Sequence, residues 1–375
     1  MQKKSAIVSV TNDLVTDNRV RKVCEFLSSE GYEVLLVGRK LSKSLILDEK
    51  NYRTKRFLLF FNKGPLFYLE YNIRLFIFLL FHRSDLLVSN DLDTLLANYL
   101  AFKCKKCKLV YDTHEYFTEV PELIENPIKQ RIWLNLEKRI FPKLKNIITV
   151  NDSIAKLYSD KYHVKVSVIR NVAPTLEFIH VKSRSELNLP EDKFIIILQG
   201  SGINLKRGAE EAVAAMINIE NALLLIIGGG DVIATLKKMV DEFQIQERVK
   251  FLPKMSYEEM MEYTRNANLG LAIDHNDVLN HKLALPNKLF DYIQSEIPIL
   301  STDLIEVRKI IEKYEIGFVL EHELTSENLA RKLNEIISMD VSEIKKIKEN
   351  LRSAKKEENW EKERVRLKKI YDNLL

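Results

Sequence analysis

Short apolar, β-branched runs recur along the first half of the chain: AIVSV (6–10), EVLLVG (33–38), LLVSN (86–90), KLVYD (108–112) and NIITV (146–150). Helical segments separate them, and runs without polar alternation mark a parallel sheet covered on both faces. Between the first two lies TDNRVRKVCEFLSSEG, where Val20, Val23, Cys24 and Leu27 keep the i, i+3, i+4, i+7 spacing of a buried helix stripe and Gly31 closes the helix. The pattern restarts with FIIILQG (194–200), LLLIIGGG (223–230), RVKFLP (248–253), LGLAI (269–273) and IPILST (297–302). SYEE (256–259) reads as a capping box that starts one of the intervening helices. The poorly periodic APTLEFIHVKSRSELNLPEDK (173–193) is the expected crossing between the halves. The fold class is therefore α/β, two doubly wound Rossmann-like domains in series. Ligands of such sheets sit beyond the carboxyl ends of the strands, so a cleft between two facing sets of strand ends is the expected site.

Two further stretches have their own pattern. PLFYLEYNIRLFIFLLF (65–81) is apolar enough to resemble a membrane span, but Glu70 and Arg74 interrupt it, and at i,i+4 they pair on a helix. The spacing predicts a buried helix there, with a membrane-touching one as the alternative. KKEENWEKERVRLKKIYDNLL (355–375) reads as a charged packing helix with Trp360, Val365, Leu367 and Ile370 as its apolar positions.

Length agrees with two domains, since 375 residues exceed a comfortable single core. With 46% hydrophobic and 30% charged residues the balance is that of a globular protein. Residues 1–180 carry +9 and the remainder −4 of the formal net charge of +5. That asymmetry points to an anionic surface or substrate near the first half. Its aromatics do not interleave with Lys and Arg as in RNA binders, so an anionic membrane surface is expected before nucleic acid. Three cysteines, with one C-x-x-C at Cys104 and Cys107 and no second pair, give neither a disulfide framework nor a complete zinc site. MQKKSAIVSVTND has too short an apolar run for a signal peptide, so a cytoplasmic location is expected, peripheral to the membrane if the basic half binds lipid.

No G-x-G-x-x-G follows the first strand of either half, which argues against a dinucleotide binder. After IIILQG comes SGINLKRG and then the helix AEEAVAAM. A small-residue loop, Lys206, Arg207 and a helix start can face one diphosphate. A second helix start, LPNKLFDYI (285–293), presents Asn287 and Lys288, with Asp291 one turn further on the same face. A carboxylate there suits the two hydroxyls of a ribose, while its plainer role is to serve the helix dipole.

These stretches, with TDNRV (16–20), YDTHE (111–115), RNVAP (170–174), KRG (206–208), IIGGG (226–230) and VKFLP (249–253), give nearly the full chain a resemblance to the family 4 retaining glycosyltransferases. The resemblance implies the GT-B fold: an N-terminal acceptor domain over 1–172 joined by a returning C-terminal helix over 356–375, and a donor domain over 173–355. It implies sugar transfer from a nucleotide-diphosphate donor, with retention of anomeric configuration, to a glycan or lipid-linked acceptor in cell-surface polysaccharide synthesis. No cofactor or metal is implied, the one Asp-x-Asp (91–93) lying in the first domain. Gly202, Lys206, Arg207, Gly229, Leu252, Pro286, Asn287, Lys288 and Asp291 would hold the donor. Arg207 and Lys288 would stabilise the leaving phosphate, and His114 would contact the donor sugar or stabilise charge. Asp17, Arg19, His114 and Glu115 would meet the acceptor, with a phosphate as the alternative for Asp17 and Arg19, although Asp17 also suits a plain helix N-cap. The sequence departs from the family in two places: Leu283 stands where a first glutamate is common, and Gly202 where an arginine is common. A nucleotide-sugar epimerase on the same fold and a non-catalytic sugar-binding protein are the alternatives.

Overall fold

A computed structural model describes residues 4–15, 17–42, 44–176 and 182–374. The chain divides into two compact units, Met1–Asn171 with Arg364–Leu375, and Val172–Glu363. In the first, β1 (Ser5–Ser9), β2 (Glu33–Lys40), β3 (Arg53–Leu58), β4 (Leu86–Asn90), β5 (Lys108–Thr113), β6 (Ile147–Thr149) and β7 (Val166–Val168) form one sheet in the order β3-β2-β1-β4-β5-β6-β7. Every pairing is parallel. The chain runs one way from β1 to β3 and the other way from β3 to β7. Because crossovers are right-handed, the helices of the two directions cover opposite faces. Val20, Val23, Cys24 and Leu27 of the helix Asn18–Ser29 are buried, as their spacing predicts.

The second sheet is also all parallel: β8 (Phe194–Gly200), β9 (Ala222–Gly228), β10 (Val249–Leu252), β11 (Leu269–Ala272), β12 (Ile299–Thr302) and β13 (Gly317–Leu320), in the order β10-β9-β8-β11-β12-β13. Ile196 and Leu198 pack into the core on one face, Ile195 and Ile197 into that on the other, so no polar alternation develops along β8. At Gly228 the backbone has φ +133°, and a Cβ would stand 1.9 Å from the Gly200 carbonyl oxygen. Only glycine lets the ends of β8 and β9 lie so close.

Three strands depart from the sequence expectation: β3 and β7, whose apolar residues are interrupted by polar ones, and β13, a run of only four residues, GFVL. Each is at a sheet edge, where one side is open to solvent and polar residues are tolerated. The helix Gly64–Phe81, expected to be buried, hides only Phe67, Tyr71, Leu75 and Leu79. Leu66, Leu69, Ile73, Ile77 and Phe81 face outward, because a helix on one face of a sheet needs only one stripe for packing. The Glu70–Arg74 pair forms, at 2.8 Å. The last expected helix, over 356–375, is also corrected. Helix Val341–Glu357 stops and helix Trp360–Asp372 begins anew. Asn359 Oδ1 accepts from the Lys362 N–H as a cap, and the Trp360 N–H donates to the Ala173 carbonyl. Of its apolar positions, Leu367 is buried and Val365 exposed.

Candidate functional site

Within the second unit, the loops after β8 and β11 and the start of the helix Asn287–Ser295 enclose a pocket of about 100 Å³. Leu198, Gln199, Gly200, Gly202, Ile203, Arg207, Asp274, Pro286 and Lys288 line it. It lies at the carboxyl ends of the strands, where α/β sheets bind ligands. Gly208 has φ +75°, and a Cβ there would be 2.1 Å from the Ile273 carbonyl oxygen. That close approach draws the 201–208 loop onto the end of β11 and brings Arg207 to Asp274.

Asp274 is the centre of the arrangement. Its carboxylate is 1% exposed. Arg207 donates to Oδ2 at 3.2 Å, and Lys288 Nζ stands 3.7 Å from Oδ1. Thus Arg207 and Lys288, 81 positions apart in the chain, converge on one acid. Lys206 diverges, donating to Asp277 at 2.5 Å. That bond, against the opposing effect of burial, holds the Asp277 carboxyl below its ordinary range. Asp277 also lies 3.6 Å from His281 Nδ1.

The other expected residues of this unit are spread around the pocket. Pro286 precedes the helix in extended conformation and Asn287, its first residue, is exposed. Gly229 accepts from the Ile203 N–H at 2.9 Å, and Leu252 packs on the core. Neither Gly229 nor Leu252 is in the pocket lining, and Leu283 is buried at 4% exposure.

Asp291 lies behind the wall. It is 8% exposed, accepting from Gln199 Nε2 at 3.1 Å and from the Tyr257 hydroxyl at 2.8 Å. Gln199 is itself fixed, since its Oε1 accepts from the Thr264 hydroxyl at 2.6 Å. Gln199 thus engages Oδ2 of Asp291 and Tyr257 engages Oδ1. Gln199, Tyr257 and Asp274 escaped the sequence reading. The one usable signal was Gln199, a polar residue closing the apolar run FIIIL.

The first unit gathers a different cluster at its strand ends. Asn90 and Asp112 are partners in the β4–β5 register. His114, just past β5, has Nε2 3.2 Å from Asn90 Oδ1 and Nδ1 3.4 Å from Asp91 Oδ2, and its N–H donates to Asp91 Oδ1 at 2.8 Å. Burial works to lower the His114 pKa, but Asp91 and Asp112 together raise it above the ordinary histidine value. Asp91 has φ 55°, a strained conformation for a residue with a Cβ.

Arg19, expected to touch acceptor or phosphate, is instead 4% exposed and forks onto Asp112, with Nη2 to Oδ1 at 2.6 Å. Its Nη1 donates to the Ile169 carbonyl at 2.6 Å. Asp17 takes the N-cap role, accepting from the Val20 N–H at 3.0 Å and from Asn12 Nδ2 at 2.9 Å. The Glu115 carbonyl accepts from the Thr113 hydroxyl at 2.8 Å. Thr16, in the TDNRV stretch, lies outside the described residues.

Comparison with known proteins agrees with this architecture. Residues 17–175 match the family model "Glycosyltransferase Family 4" and residues 181–357 match "Glycosyl transferases group 1". No curated protein matches the chain in sequence. Among solved structures, sucrose-phosphate synthase from Thermosynechococcus elongatus superposes with a TM-score of 0.81 at 17% identity, covering 99% of each chain. A glycosyltransferase from Rickettsia africae gives 0.76 at 15% identity, covering 100% of this chain and 99% of its own. HepE from Anabaena, solved in complex with UDP-glucose, gives 0.74 at 14% identity, covering 99% of this chain and 100% of its own.

Proposed function

We propose that this chain, which belongs to the family 4 glycosyltransferases with the two-domain GT-B fold, moves a sugar from a nucleoside-diphosphate donor held in its second unit to a glycan or lipid-linked acceptor. The proposal includes retention of anomeric configuration, no metal ion, and a place in cell-surface polysaccharide synthesis. The observation that carries it is the convergence of Arg207 and Lys288 on Asp274 at the pocket wall. Two cations against one carboxylate leave one positive charge in excess, and the helix start at Asn287 adds free N–H groups. A diphosphate supplies the missing negative charge.

When the bond between the sugar and the donor phosphate breaks, negative charge grows on the departing phosphate oxygen. A guanidinium and an ammonium already placed beside it stabilise that charge without reorganising at the moment of reaction. Asp274 keeps both cations in position before the donor arrives. The Asp291 carboxylate, oriented by Gln199 and Tyr257, is the group that would accept from the ribose hydroxyls.

The Anabaena complexes make UDP-sugars the first members of a donor panel that also covers GDP-, ADP- and dTDP-sugars. Arg207→Ala is expected to lower turnover by about two orders of magnitude, as removal of one preorganised charge contact does. An unchanged rate with a native melting curve would overturn the assignment. Isomerisation of the donor with no acceptor present would replace transfer by epimerisation, and chelator should leave the rate unaltered.

A further inference from the structure

We infer that one face of the first unit, formed by the helices Gly64–Phe81, Leu92–Cys104 and Pro127–Ile140, docks on an anionic lipid bilayer. The inference adds a binding surface to the reading above and does not depend on which sugar is moved.

The three helices follow one another along the rightward run of the sheet, from β3 to β6, so right-handed crossovers place them on the same face. Direct contacts join them. Asn72 Nδ2 donates to the Asp93 carbonyl at 2.8 Å and Asn72 Oδ1 accepts from the Ala97 N–H. The rings of Tyr68 and Trp133 lie 5.1 Å apart, edge to face. Outward from this packed layer stand Leu69, Ile73 and Ile77 of the first helix, Leu96 and Leu100 of the second, and Ile128 and Ile132 of the third. Seven exposed apolar side chains on three adjacent helices are more than the scattered single ones of an ordinary surface, and such a concentration marks an interaction surface.

Its edge is extended by a pinned loop. Glu70 accepts from the backbone N–H groups of Phe60 and Phe61 and from Arg74 Nε, at 2.9–3.1 Å. The loop is thereby fixed with the Phe60 ring 84% exposed beside the helix. Charge selects the occupant. Each acid on the three helices is already engaged: Glu70 as described, Asp93 by the Thr11 hydroxyl, and Glu137, 1% exposed, by Lys161 and the Tyr162 hydroxyl. Lys103, Lys129, Arg131, Lys138 and Arg139 on the same helices are exposed. Exposed leucines and isoleucines with five exposed cations on the same three helices, whose own acids are hydrogen-bonded within the unit, complement anionic headgroups over acyl chains, the exposed Glu122 and Glu125 lying outside these helices. A second copy would set those cations against each other.

The test is flotation of the full-length chain with phosphatidylcholine vesicles and with vesicles containing about one third phosphatidylglycerol, with neither donor nor acceptor present. Binding is expected to the anionic vesicles, at least tenfold above the neutral ones, and to weaken in about 0.5 M salt. Ile73→Glu with Ile77→Glu should cut it at least tenfold. Lys129→Glu with Arg131→Glu should cut it further, each lost cation near the surface costing roughly fivefold. Val341→Glu, at a still more exposed apolar site of the second unit, should leave it unaltered. Melting curves accompany every variant, and all these positions are exposed. Equal binding to neutral vesicles, or none to either, would overturn the inference. So would a concentration-dependent dimer abolished by Ile73→Glu. Because turnover is not read, failure here leaves the proposed reaction standing.

Discussion

Replacing Asp291 by asparagine separates two roles that the geometry lets coexist. The carboxylate receives Gln199 Nε2 on one oxygen and the Tyr257 hydroxyl on the other. An asparagine can keep only one of these as an acceptor. If it keeps Tyr257, its NH2 meets the NH2 of Gln199, two donors face to face. Gln199 cannot turn round at no cost, because its Oε1 already accepts from Thr264. One buried donor is left unsatisfied, at about 1–3 kcal/mol. With about 2–4 °C of melting temperature per kcal/mol for a unit of this size, Asp291→Asn should lower the transition of the second unit by roughly 2–12 °C. If Asp291 also receives the ribose, loss of a hydrogen bond to a charged group, worth about 1.5–3 kcal/mol, should weaken binding of the nucleoside diphosphate about ten- to a hundredfold. Tyr257→Phe is the control, since it removes one donor and leaves the charge. It should cost about 1 kcal/mol of stability and leave affinity within a few-fold. Calorimetry with free nucleoside diphosphate, beside melting curves, reads both. Stability lowered with affinity intact would refute the ribose role, and an unaltered melting curve would refute the buried network.

Two further predictions concern the first unit. Arg19→Ala strips the buried Asp112 of its partner and should destabilise by about 3–5 kcal/mol, read by urea unfolding, where a surface-like loss under about 1 kcal/mol would refute the burial argument. Asp93 has its pKa pushed up to about 7, first by burial and then by the Asp91 charge. A carboxyl whose folded pKa lies above its unfolded one binds more protons when folded, so stability falls as pH rises from about 4 and the full penalty is present above about 7. Asp93→Asn keeps an acceptor for the Thr11 hydroxyl and removes the charge. Its advantage over the native chain should therefore open between pH 4.5 and 8, on the order of 1–2 kcal/mol after solvent screening, and a gap independent of pH would refute the titration.

What the sequence made legible follows from where residues are buried. Strands such as LLVSN and FIIILQG have neighbours on both sides and helices on both faces, so their composition shows no solvent and they stand out. The edge strand RTKRFL has Arg53, Thr54 and Lys55 exposed and resembles a loop. In Gly64–Phe81, hydrophobicity alone could not tell the stripe that packs on the sheet from the one left outside, because both carry leucine and phenylalanine.

The site divides along the same line. Arg207 and Lys288 could be found because cations at a helix start oppose the dipole and so call for another reason to be there, whereas Lys206, picked on the same ground, turns to Asp277. Asp274 could not, because an acid in a loop needs no reason. Its two partners lie 67 residues before and 14 residues after it, and only the β8–β11 pairing brings them together. Arg19 misled for the opposite cause: its fork suits a phosphate as well as a carboxylate, and nothing local reveals that Asp112 waits at the end of β5. Leu283 gains a physical meaning from its burial. At 4% exposure it packs where a carboxylate would lose its hydration, so the polar contacts to the donor must come from the remaining groups. Under the proposed function, that concentrates the chemistry on Arg207, Lys288 and the helix start, and it makes Asp274, which pairs with both cations, the residue whose loss would scatter them.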